Sequence, residues 1–143
     1  MLLTISILVL AYMILGKDIK PLLEKAKSID WRAGIDELWE KFRPWAVKVG
    51  RATARPLLQS YYVLKDENTS TTDRLLIYAA IAYTILPMDA IPRSVYRFLG
   101  ILDDGLAVMY VYRKIKSKIT AEIDAKVDSI LDDWFGVDYE VIE

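Results

Sequence analysis

Two prolines five residues apart, Pro87 and Pro92, stand between two uncharged apolar runs and forbid one continuous helix across the second half of this chain. The stretch from Leu86 to Asp104 (LPMDAIPRSVYRFLGILDD) also holds three carboxylates, Asp89, Asp103 and Asp104, between flanks that are expected to be buried. Uncompensated buried charge is costly, so these carboxylates must cap helices, pair with arginines, bind a cation or face water. The chain therefore folds back here, and the use made of the three aspartates bears directly on function.

Among the 143 residues there is no cysteine and no histidine. That excludes thiol nucleophiles, Ser-His and Cys-His dyads, the usual zinc ligands and histidine-ligated haem. Any chemistry would have to come from carboxylates, lysines, tyrosines, hydroxyls or a hard metal ion, and the expectation is a protein that is not an enzyme and carries no cofactor. The length suits a single domain with a real core. Lysine and arginine number 19 against 20 aspartates and glutamates, so there is no case for nucleic acid as a partner. The balance conceals a polarity. Residues 17–56 carry ten basic and six acidic side chains, whereas residues 120–143 carry one basic side chain, Lys126, and eight acidic ones. The acidic end, from Glu122 to Glu143, reads either as a solvated helix face or as a docking surface.

Met1–Gly16 has no charged side chain, and Lys17, Lys20, Lys25 and Lys27 follow it. As a helix the run spans about 24 Å, somewhat short of the roughly 30 Å hydrocarbon core. It lacks the basic leader and small-residue cleavage site of a signal peptide. We read it as a membrane anchor, with a cleaved signal or a buried or partner-packing helix as the alternatives. Lysines only on its C-terminal flank place the N-terminus outside and the bulk of the chain in the cytoplasm.

Ser28–Asp30 looks like a helix start, followed by apolar residues at Ile35, Leu38, Trp39, Phe42, Trp45, Ala46 and Val49 in three- and four-residue steps. Pro44 is expected to kink this helix or begin a new one, and Pro56 punctuates it again. The opposite face carries Lys41, Arg43, Lys48, Arg51 and Arg55. Tryptophans and basic residues on one amphipathic helix suit a segment lying along a membrane surface, though the same apolar residues also suit packing on the rest of the domain. Ser70 and Asp73 have capping-box spacing, so a helix is expected to start near Thr71 or Thr72. Leu75–Met88 then runs without a charge, a length more typical of a buried helix than of a spanning one. From Leu102 to Trp134 apolar residues recur at helical spacing. This predicts one long helix, or two joined near Ser117, stopped by Gly136 in a left-handed conformation.

The string from Tyr83 to Pro92, then Leu99 to Asp104 and an apolar helix, resembles the YkvA-like family, a bacterial domain of unknown function. The matching positions are Pro87, Asp89, Ile91, Pro92, Gly100, Asp103 and Asp104, within a stretch of about residues 72–112. The resemblance implies a helical hairpin, frequently membrane-associated, with no established activity. A departure falls at Arg93, where the family pattern has aspartate, and it puts a positive charge inside any cation site the loop would form.

The fold expected is all-α, a small helical domain built on a hairpin, with an N-terminal apolar membrane-anchor helix. Its parts are an anchor at 1–16, a basic amphipathic segment at 17–64, and the hairpin with an acidic C-terminal helix at 65–143. Capping by Asp103 or Asp104, and an Asx turn at Asp89 paired with Arg93, explain the carboxylates locally. A hard-cation site made of Asp89, Asp103 and Asp104 is the competing reading. The function expected is a non-enzymatic interaction or membrane-organising module at the cytoplasmic face of a bacterial inner membrane, partnered by the membrane and by a protein or a second copy. The alternatives are a metal-dependent hydrolase using the aspartates, a soluble helical adaptor, and a multi-pass arrangement with the 75–112 hairpin inserted.

Overall fold

The computed structural model describes residues 2–86 and 104–136, and all their regular structure is helical. In order these are α1 (Leu2–Leu15), α2 (Lys20–Ala26), α3 (Trp31–Val49), α4 (Arg51–Lys65), α5 (Thr71–Ile85), α6 (Asp104–Ile115), a short 3-10 turn at Lys116–Lys118, and α7 (Ala121–Phe135).

Two helices are apolar on every side, the pattern of a helix enclosed by others. In α1, Ile5, Ile7, Val9, Leu10 and Ala11 are buried on most sides, with Leu8 and Tyr12 partly buried on the remaining one, and in α5 every residue from Leu75 to Ala82 is buried. These two pack along one another more extensively than any other pair of described helices. The approach to α3 is also close. A Cβ at Gly34 would run into the Leu2 side chain and sit 3.3 Å from the Tyr78 ring.

The anchor expected at Met1–Gly16 finds no support here. Much of the apolar surface of α1 packs inside the protein, with Ile14 and Leu15 exposed at its end, and no described helix is long and apolar enough to cross a membrane. Residues 87–103 of the 75–112 hairpin lie outside the described residues. The apolar core runs without interruption from Leu2 on α1 to Leu131 on α7, across residues 16 and 64.

Helix starts follow their caps. Asp30 accepts from the Arg32 N–H (3.0 Å), Ser70 from the Asp73 N–H (3.1 Å) and Thr120 from the Ile123 N–H (3.2 Å), so α3, α5 and α7 begin at Trp31, Thr71 and Ala121. Pro44, expected to kink this helix or begin a new one, lies inside α3, so no new helix begins there. It removes the helical donor to the Glu40 carbonyl at a point where both residues are exposed. The helix ends at Gly50, whose φ of +95° suits glycine alone among common residues. Pro56 is likewise carried within α4. The apolar series after Leu102 is two helices joined at Lys116–Lys118, as one of the two expected arrangements has it. Gly136 ends α7 at φ +80° but ψ 169°, extended and not the left-handed helical stop expected.

Candidate interaction surface

Part of the charge polarity along the chain is used in its own fold. Arg51, Arg55 and Gln59 recur at four-residue intervals on α4, and Asp124, Asp128 and Asp132 do so on α7. The helices run antiparallel, so the two series face each other rung by rung. Arg51 pairs with Asp132 (2.8 Å), Arg55 hydrogen-bonds Asp128, and Gln59 Nε2 donates to Asp124 Oδ1 (2.7 Å). Arg55 also reaches Asp124 (3.4 Å), while Tyr112 Oη donates to Gln59 Oε1 (3.2 Å), tying α6 to the same ladder. The hydrogen bond to Asp128 raises the Arg55 pKa further above its ordinary value, against the opposing effect of burial.

Apolar packing accompanies the ladder. Val127 and Leu131 are fully buried, and Trp134 lies 5.6 Å, ring centre to ring centre, from Trp39, which itself stacks on Tyr61 at 4.9 Å. Phe42 completes the aromatic cluster. Burial, helped by Tyr62 and Asp36, pushes the Tyr61 pKa up to about 12, so its phenol stays neutral. Thus Trp39 and Phe42 pack on the protein's own core, and Asp124, Asp128 and Asp132 of the acidic end face α4 while still partly exposed; its residues 137–143 lie outside the described residues.

Two-fifths of the expected basic face is therefore consumed, since Arg51 and Arg55 point to α7. Lys41, Arg43 and Lys48 on α3 remain exposed and make no ion pair among the described residues. By helical spacing Lys41 and Lys48 share a side of α3 with the half-buried Trp45 and with Val49, 38% exposed, whereas Arg43 lies with Val47, 56% exposed, on a different side. Trp45 is a wall shared by two grooves. One, of about 420 Å³, is lined by Glu40, Lys41, Pro44, Lys48 and Ile85. The other, of about 400 Å³, is almost wholly apolar, with Pro56, Leu57, Val108 and Met109 among its walls. Met109 is half exposed there, and the Thr84 hydroxyl is already satisfied by the Ala80 carbonyl (2.7 Å).

The residues singled out in the proline loop fall differently. Pro87, Asp89, Ile91, Pro92, Arg93, Gly100 and Asp103 lie outside the described residues. Asp104 is the first residue of α6, which agrees with a helix starting at the aspartate pair. Among the described residues no three acidic side chains gather as a metal site.

Sequence reasoning missed the ladder and the Met109 groove. The ladder had a partial signal, because four-residue spacing gathers Arg51, Arg55 and Gln59 on one face of α4 and Asp124, Asp128 and Asp132 on one face of α7, but the spacing does not say that these faces meet or in which direction. The groove had none, since it is assembled from four helices.

Residues 73–110 match the family described as "Protein of unknown function (DUF1232)", nearly the stretch on which the YkvA-like resemblance was drawn, and the two descriptions are consistent. No curated protein and no solved structure matches the chain.

Proposed function

We propose that this chain, whose residues 73–110 match the DUF1232 family of unknown function, is a non-enzymatic interaction module that docks peripherally on an anionic membrane surface through the Trp45 face. The observation that carries this reading is the division of the basic residues. Arg51 and Arg55 are paired with α7, while Lys41 and Lys48 make no such pair and share one groove with the half-buried Trp45 on the same side of α3, Val49 being exposed next to it. Basic residues next to exposed apolar and indole surface are the chemistry of the lipid headgroup boundary. Attachment of this kind needs no spanning helix. The cytoplasmic face of a bacterial inner membrane supplies the anionic surface, and each basic residue near such a surface contributes about 1 kcal/mol.

Co-sedimentation with lipid vesicles tests the proposal. The intact chain is expected to pellet with vesicles containing phosphatidylglycerol at low salt, to stay free of pure phosphatidylcholine vesicles, and to be released as salt rises. Reversing Lys41→Glu and Lys48→Glu together removes about 2 kcal/mol or more, a loss of roughly 30-fold in affinity. A chain that ignores anionic vesicles at low salt would overturn the reading in favour of an adaptor that acts away from lipid.

A further inference from the structure

We propose that the two grooves flanking Trp45 together form a stoichiometric site for one long-chain anionic amphiphile, its hydrocarbon in the Met109 groove and its headgroup over Lys41 and Lys48. This rests on the docking reading above and takes it from a surface to a binding site.

Each groove supplies one half of the ligand's chemistry. The apolar one is built from Pro56 and Leu57 on α4, Val108 and Met109 on α6 and the face of Trp45. Its volume of about 400 Å³ lies in the range of small-molecule sites, roughly 300–1,000 Å³. Thr84 is already bonded to its own helix and Thr53 is exposed to water at the rim, so the remaining surface is mainly hydrocarbon, and a hydrocarbon chain is what such a groove takes from water. The neighbouring groove holds two ammonium groups, Lys41 and Lys48, against one carboxylate, Glu40, so it retains net positive charge. Because Trp45 belongs to both, an acyl chain laid in the first groove brings its polar end to the second. An indole at this junction matches the boundary between chain and headgroup.

Phosphate chemistry at the lysines has two sources, a lipid headgroup or the free ion, and the test separates them. The intact chain is titrated with decyl phosphate below its micelle-forming concentration, with inorganic phosphate, and with an uncharged decyl glycoside, followed by calorimetry and amide NMR shifts. Decyl phosphate is expected to bind saturably, one per chain, with shifts centred on Trp45. The glycoside, the Lys41→Glu/Lys48→Glu chain and the Met109→Glu chain are each expected to bind about tenfold more weakly or worse. Both variants change exposed side chains, and an unaltered NMR spectrum elsewhere verifies their fold. Inorganic phosphate is expected not to saturate in the same range. Decyl phosphate that fails to saturate, or binds both variants as tightly as the parent, overturns the site. So does inorganic phosphate that binds as well as the amphiphile. Vesicle binding that persists without monomer binding removes the site and leaves the docking surface, whereas monomer binding without vesicle binding does the reverse.

Discussion

Arg55 on α4 and Asp128 on α7, 73 residues apart in the chain, meet in a charge-assisted hydrogen bond at the middle rung of the α4–α7 ladder. Its neighbours above and below make it part of a network instead of an isolated surface pair, the condition under which such contacts count. Replacing Arg55 with alanine is expected to lower the unfolding free energy by about 1 kcal/mol in a denaturant titration. The outer rung gives a cleaner test of register. Arg51→Asp alone is expected to destabilise, and adding Asp132→Arg to restore at least half of the loss, in a double-mutant cycle. At about 1 M salt, where the screening length is about 3 Å, the cycle should shrink. Failure of the swap to rescue would mean that the rungs are not paired as described.

Ser6 is fully buried in α1, and its hydroxyl has no hydrogen-bond partner. An unsatisfied buried hydroxyl costs about 1–3 kcal/mol, and removing it leaves only a small void. Ser6→Ala is therefore expected to raise thermal stability, by about 1 kcal/mol. The same substitution would have no effect on the domain's stability if α1 stood away from the core, so thermal melting of this single variant also tests the placement of α1.

Tyr61 and Tyr78 are both held near pKa 12, above the ordinary 10, chiefly by burial, with smaller contributions from Tyr62 and Asp36 for the first and Glu37 for the second. A phenol whose folded pKa is raised keeps its proton longer in the folded state. The stability this contributes is complete below pH 10 and is lost as pH rises from 10 through 12. Chemical denaturation should therefore show falling stability across that window. Spectrophotometric titration should show these two tyrosines ionising late. Ionisation of all tyrosines near pH 10 without loss of fold would contradict their burial.

Helix class, the caps at Asp30 and Ser70 and the junction after Ile115 were legible because each is a local event, set by residues within one turn of the chain. The fate of Met1–Gly16 was not. Sixteen uncharged residues satisfy a core and a bilayer equally, and the packing of α1 along the apolar stretch Leu75–Ala82 of α5 is a tertiary fact that the run itself does not contain. At Pro44 the sequence offered a kink or a new start, and only the second is set aside, because α3 continues through it to Val49. The surface around Trp45 was half legible. The basic and aromatic spacing on α3 pointed to it, but the loss of Arg51 and Arg55 to α7 is a tertiary fact that no window of α3 or α4 contains.

The chain has no cysteine, so a single one can carry a polarity-sensitive fluorophore without ambiguity. Val49→Cys places the label on the proposed contact face, one helical turn from Trp45, and Ser129→Cys places it on exposed α7 surface. On adding phosphatidylglycerol vesicles at low salt, emission from position 49 is expected to shift to the blue and rise, while emission from position 129 stays unchanged. Phosphatidylcholine vesicles should move neither. A label at 49 that remains in water, or a shift at 129 in its place, would contradict docking through the Trp45 face.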